Sequence, residues 1–452
     1  MASSILEVES LVECLKPTFD LGELGSPDWL RQHAVMEKLN VQAALEAQKN
    51  GDESLKELLV DRGKLPLFIH ELIAVRLWKD KVRKQLILSQ ARSQEMALTS
   101  IVIPYVICHH ELTLWTLLET VLYHSDAVEA LGDAVIDVAD TVVEAASMLL
   151  AGSPPETDED VSSDCDPTCD EKDDATSVSM WKELMSKRRK IDFDSGIKAL
   201  SILRYLSSTL KTLPLGVARR LVTTHDVPML LVELLDRKPW QRQNRKQNTD
   251  EVYDAGTWTK LDADSSPLSK VELQIWITLV QLLLDPKVSV HYDFSSYKRE
   301  QLNRLRDHLT RRVFDQLPIL EELDRFLSHL QFVNPSQPKS AVILEVVPEI
   351  KRTILKTANW ENIFTLQCQR VFRPSPDALT SASRLISEAY PLEDLEMRCP
   401  GKPRCGNCGK EAPHRYVIED FCVGVRAAKW NGTAAHNVKL IIGDSIEMPV
   451  YL

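Results

Sequence analysis

One pattern occurs twice in this chain with its spacing unchanged. Leu59-Val60, Leu65-Pro66, Glu71-Leu72-Ile73 and Trp78 in the first half match Leu221-Val222, Val227-Pro228, Glu233-Leu234-Leu235 and Trp240 in the second. A weaker echo, Leu317-Pro318-Ile319-Leu320 followed by Leu323, comes later. Proline in the first turn of a helix sets φ without losing a useful donor, and the leucines behind it supply a ridge to bury. Stacked helix hairpins need this arrangement, and armadillo or HEAT units of roughly 40 residues carry it. Chance matching of proline-started amphipathic helices is the competing explanation, and the unchanged spacing weighs against it. The pattern predicts an all-α body of armadillo/HEAT-like helical repeats.

Composition supports helices. The 452 residues include only 15 glycines and 6% aromatics, against 44% apolar and 27% charged residues. Sandwiches, barrels and doubly wound sheets need more turn glycine and more β-branched runs. Amphipathic helical spacing marks 52–60, 111–123 and 133–150, with Trp115, Leu118 and Leu122 on one stripe and Val135, Val138, Val142 and Ala145 on another. It resumes at Met180 and runs to about residue 394, with clear windows at 197–206, 217–222, 227–235, 271–284 and 297–309. Gly152, Pro154 and Pro155 end the first series. The expected organisation is a helical region over 1–153, an acidic disordered linker over 154–178 and a second helical region over 179–395. A polar loop at 241–270 interrupts the second region. A cysteine-bearing segment at 399–415 and a tail at 416–452 complete the chain.

The net charge of −12 is mostly local, because Glu156 to Asp174 holds ten acids against Lys172 alone, a net of −9. Little charge remains elsewhere, and no basic field points to nucleic acid. The start of the chain lacks the basic and apolar regions of a signal peptide, and no uncharged run reaches the roughly 18 residues of a membrane span. Nine cysteines, with Cys14, Cys108, Cys368 and Cys422 isolated in sequence, indicate reduced thiols of the cytosol or nucleus rather than a disulfide framework.

The sharpest chemical signal is Cys405-Gly406-Asn407-Cys408. This spacing lets two thiolates face one ion across a tight turn, as a zinc knuckle requires. A structural zinc site needs four ligands, so Cys405 and Cys408 form a half-site, with Cys399, His414, Cys422 and His436 as the remaining donors nearby. Cys165 and Cys169 sit among acids that raise thiol pKa and weaken metal binding. His109-His110-Glu111 precedes Leu112, and Leu114 stands where an HExxH motif needs its second histidine. That trio reads as polar residues opening the helix over 112–123, one histidine packed, and His124 follows the helix. Lys187-Arg188-Arg189-Lys190 reads as a solvated helix end, with a nuclear signal as the alternative. Phosphate loops, nucleophile elbows and dinucleotide fingerprints do not occur, so the chain is expected not to be an enzyme.

Arg404-Cys405-Gly406-Asn407-Cys408-Gly409-Lys410-Glu411-Ala412 resembles the opening of a MYND-type zinc finger. Glu71-Leu72-Ile73-Ala74-Val75 with Trp78, His109-His110-Glu111 with Leu117 to Val121, Ile197 to Ser201 with Leu203-Arg204-Tyr205, and Leu230 to Leu235 with Pro239-Trp240 extend the likeness. From about residue 20 to 412 the chain is similar to the zinc finger MYND family of cytoplasmic factors for axonemal dynein arm assembly. The resemblance implies an armadillo-like body and a finger holding two zinc ions. It implies a non-enzymatic role in motile cilia, the preassembly of inner and outer dynein arms. The implied partners are dynein chains, a leucine-rich-repeat co-factor, chaperones and immunophilin co-chaperones, in the cytoplasm near centriolar satellites or the apical region of ciliated cells. After Arg415 the chain departs from the family. It reads Tyr416-Val417-Ile418-Glu419-Asp420-Phe421-Cys422, where further ligand pairs belong. Zinc is therefore expected to be weak or absent there. A generic helical-repeat scaffold and a MYND-type nuclear corepressor are the competing functions. A MYND methyltransferase would need an Asn-His-x-x-Cys stretch that the sequence lacks.

Overall fold

A computed structural model describes residues 5–49, 53–85, 102–152, 174–244, 249–254, 256–261, 268–289, 291–332 and 347–389. The first half contains α1 (Ile5–Glu13), α2 (Pro27–Lys49), α3 (Ser54–Asp61), α4 (Leu65–Leu77), α5 (Val102–Val121), α6 (Ser125–Glu129) and α7 (Ala134–Ala151). The second begins with α8 (Asp174–Thr209), α9 (Leu215–Arg219) and α10 (Val227–Arg237), followed by strands β1 (Gln241–Asn244), β2 (Thr249–Asp254) and β3 (Thr257–Lys260). Then come α11 (Lys270–Leu284), α12 (Pro286–Ser289), α13 (Ser296–Arg304), α14 (Arg311–Gln316) and α15 (Leu320–Phe332), and last α16 (Glu349–Thr357), α17 (Trp360–Gln367) and α18 (Pro376–Ala389). The body is helical, as composition and periodicity predict.

Both copies of the repeated pattern do what their residues require. Pro66 and Pro228 lie in the first turns of α4 and α10, where the missing N–H costs nothing. Leu59, Leu221, Trp78 and Trp240 are all fully buried. The copies diverge at their ends. Trp78 opens a π-helical turn, Trp78–Arg83, that prolongs α4, whereas α10 stops at Lys238 in the left-handed region (φ 44°).

The long helix α8 is the spine, packed against α5, α7 and α11. Close approach to α7 depends on Gly196, where an added Cβ would lie 2.7 Å from Leu149 Cγ. The helix starts at Asp174, so its first residues take up part of the stretch expected to be linker, while 153–173 lie outside the described residues.

The expected polar loop at 241–270 is instead, over 241–260, a three-stranded antiparallel sheet in the order β1-β2-β3. Arg242 pairs with Glu251 and Tyr253 with Trp258 across its two registers. Tyr253 donates to the Asp194 carboxylate of α8, and its ring meets Phe193 at 5.0 Å and Trp258 at 5.2 Å. Tyr253 is buried and Val252 and Trp258 are half-buried against the core, while the other described strand residues are polar, so the strands read as polar in sequence. Cross-strand and aromatic pairs hold such a small sheet in place.

The last helices return to the first. Helix α18 packs on α2, α16 on α4 and α7, and α17 on the turn Leu21–Glu23. In an open solenoid each repeat meets only its neighbours; here the chain closes on itself, and one buried apolar cluster runs from Val8 to Leu385. Asp137 of α7 accepts the backbone N–H groups of Glu349 (3.1 Å) and Lys351 (3.3 Å), capping α16. Gly25, at φ +78°, lets Val371 approach within 2.9 Å of where a Cβ would stand.

Gln367 fastens this closure. Its Nε2 donates to the carbonyls of Leu21 (3.2 Å), Gly22 (3.0 Å) and Leu24 (3.0 Å), and its Oε1 accepts from Trp78 Nε1 (2.8 Å). An amide nitrogen has two hydrogens, so one is shared between carbonyls. Trp78 stacks on Phe372 with a 4° angle between the rings. Gln367→Leu is expected to cost about 2–3 kcal/mol, because it strands a buried indole N–H and carbonyls without replacing their partner. Urea unfolding checks this; a loss under about 0.5 kcal/mol would mean that the clasp is ornamental.

Candidate functional site

Cys405 and Cys408 lie outside the described residues, as do Cys165, Cys169, Cys399, His414, Cys422 and His436. Within the described residues the densest chemistry is a polar seam sealed between α2, α4, α5 and α8.

Helix α5 supplies its centre. His109, His110 and Glu111 are in mid-helix, not at a helix start, and all three are buried, His110 and Glu111 completely. The expectation of an opening turn with one packed histidine is therefore corrected. Apolar flanks at Val106, Ile107, Leu114 and Trp115 draw both sides of α5 inside, and the polar residues between them are carried in and must find partners there. His124 N-caps α6 and lies 3.4 Å from Glu53.

Helix α2 supplies those partners on one face. Trp29, His33 and Glu37 follow at i, i+4 and i+8, with Gln32 and Met36 beside them. His33 Nδ1 meets His110 Nδ1 at 2.9 Å, and Trp29 stacks on the His33 ring at 5.9 Å and 7°. Glu37 accepts from the Thr113 hydroxyl and lies 3.5 Å from His109 Nδ1. His33, Glu37 and His109 bring three ligand-type atoms within 4.8 Å of one another. Gln32 donates to Glu71 of α4 (3.2 Å), whose other oxygen lies 3.4 Å from His110 Nε2.

Burial keeps His33 neutral, with its pKa lowered to about 3, the neighbouring His110 adding to the effect and Glu37 opposing it. Burial works against the Glu37 charge, but the hydrogen bond and charge of His109 overcome it, and the carboxyl is held at about 2.

One turn along α5, Glu111 gathers a second set. It accepts from Arg76 (2.9 Å), from Lys79 and from the Trp115 indole (3.4 Å). Lys79 also pairs with Asp192 of α8, which forms a further ion pair with Arg188 at 2.9 Å. Burial would raise the Glu111 pKa; Lys79 and Arg76 outweigh it and hold the carboxyl at about 2. Burial pushes the Cys108 thiol up and makes it unreactive. The run Lys187–Lys190 is within α8 rather than at its end, Lys187 lying over the Tyr105 ring.

Sequence reasoning found the α5 trio but missed His33, Glu37, Glu71 and Lys79. The available signal was the His33–Glu37 spacing between Trp29 and Met36 on a helix that otherwise reads as polar. Chemically the seam can bind charges to charges or hold a cation.

No protein-family model matches the chain, and no solved structure matches it. It is 32% identical over 351 residues to the zinc finger MYND domain-containing protein 10 homolog of Drosophila melanogaster, covering 77% of this chain and 73% of the relative. Likeness at that level over that span marks shared descent, and the chain belongs to the zinc finger MYND domain-containing protein 10 family.

Proposed function

We propose that this chain is a non-enzymatic cytoplasmic assembly factor for axonemal dynein arms, an adaptor presenting helical surfaces to dynein chains while chaperones and immunophilin co-chaperones act on them. The observation that carries this reading is family membership over most of the chain, joined to the motif resemblance around His109 and Trp240. The burial pattern supports it. Several charged side chains inside the body are spent on one another, as in the Arg76–Glu111–Lys79–Asp192 set, which suits a rigid platform.

The relative is named as a zinc finger protein, and zinc at Cys405 and Cys408 follows by family. With two thiolates the site is expected to be weak, since structural zinc stability comes from a filled shell. The leucine-rich-repeat co-factor, contacted through the finger in the family, is expected to be lost with it.

Affinity purification from multiciliated cells tests the proposal, comparing this chain with one carrying a complete finger. Dynein heavy and intermediate chains should accompany both, and the leucine-rich-repeat co-factor only the second. Recovery of no dynein chain with either would refute the adaptor reading. Transfer of methyl groups from S-adenosylmethionine to a protein substrate, abolished by a point substitution, would refute the non-enzymatic one.

A further inference from the structure

We propose that His33, Glu37 and His109 form a buried site for one zinc-class divalent cation, held within the helical body by nitrogen and oxygen ligands and independent of the cysteines near the C-terminus. Two observations carry this.

The first is geometry. Ligands sharing one ion at about 2.0–2.1 Å in tetrahedral array stand roughly 3.3–3.4 Å apart. His109 Nδ1 and Glu37 Oε1 are 3.5 Å apart, and all three ligand atoms fall within 4.8 Å. His33 and Glu37, four apart on α2, face His109 on α5. Facing helices of a bundle build metal sites by this kind of inward projection.

The second is the outer shell. Ligating histidines normally donate their other ring N–H to a fixed acceptor, and ligating carboxylates are themselves hydrogen-bonded. Thr113 holds Glu37, and Trp29 stacks on His33. His33 Nδ1 lies 2.9 Å from His110 Nδ1, which fixes the plane of the His33 ring.

The donor set selects the metal. Two imidazoles and one carboxylate suit zinc, while magnesium and calcium want oxygen throughout. Three protein ligands are also the set zinc uses where a water completes the shell.

The test uses the full chain with Cys405→Ser and Cys408→Ser, which removes the thiolate pair. After equilibration with zinc chloride and gel filtration, about one zinc per chain should remain. Its X-ray absorption should show a nitrogen and oxygen shell without sulfur. Zinc should raise the Tm of this chain above its value in EDTA, since only native-state binding does so. Glu37→Gln, which keeps the size and an acceptor for Thr113, should abolish both retention and the Tm rise, as should His109→Gln. A Tm indifferent to zinc would overturn the proposal whatever the variants do. So would zinc retained equally by folded Glu37→Gln, which would mark an adventitious surface ion, and so would a sulfur-containing shell.

Discussion

Replacing Glu111 by alanine is expected to destabilise the protein by about 3–5 kcal/mol, the cost of leaving a buried charge without its partner. Glu111 is completely buried, and its carboxylate faces Arg76 and Lys79, with Lys79 itself only 4% exposed. Deletion leaves both cations inside with Asp192 as the remaining counter-charge, and takes the acceptor from the Trp115 indole. Glu111→Gln should lose less, because it keeps an acceptor for Trp115 and Arg76. An exposed pair such as Lys84–Asp80 makes the control: its removal should change stability by under about 1 kcal/mol. Urea unfolding at neutral pH distinguishes them. A Glu111→Ala loss no larger than the control's would mean that water reaches the seam and screens it.

Acid should weaken the protein in two stages with the same sign. His33 has its folded pKa lowered from 6.5 to about 3. Between those values the unfolded chain binds a proton that the folded chain does not, so stability falls as pH drops through that window, by at most about 5 kcal/mol. Glu37 and Glu111 have folded values near 2 against an ordinary 4.5. Their contribution is complete above the unfolded value and is lost as pH falls from about 4.5 towards 2, about 3 kcal/mol each. The first stage is the diagnostic one, because it begins above the ordinary carboxylate range. The urea midpoint of metal-free protein should already decline between pH 7 and pH 5. His33→Gln should make that interval shallower, His70, whose pKa burial also lowers, keeping part of the slope, and should leave the later decline in place. A wild-type midpoint constant from pH 7 to pH 5 would contradict the burial of a neutral His33.

The helices with a clean apolar stripe were legible in sequence. Val135, Val138, Val142 and Ala145 are all buried on α7, and the proline-started α4 and α10 begin where the repeated pattern places them. Three things were not legible, each for the same physical reason. The inner face of α2 reads as polar because Gln32, His33 and Glu37 are buried against partners far along the chain. Periodicity scores a side chain by its own polarity and cannot see who satisfies it. The sheet at β1–β3 is anchored by Tyr253 and Trp258, too few to make an alternating apolar face. The return of α16–α18 rests on Asp137 and Gln367, single side chains reaching across most of the sequence. The half-site of Cys405 and Cys408 was the plainest motif of all, yet the ligand-type cluster of the described residues lies elsewhere.

The Gln367 clasp has a consequence for how the protein is made. Trp78 and the Leu21–Leu24 carbonyls leave the ribosome first, while the side chain that satisfies them follows 289 residues after Trp78. At translation rates of about 5–20 residues per second, the nascent N-terminal layer waits on the order of tens of seconds with an indole N–H and an apolar flank unsealed. For that interval it presents the kind of surface that holding chaperones recognise. A factor proposed to help other chains mature thus depends on late completion of its own first layer, and ribosomes stalled before codon 367 release a chain that cannot close.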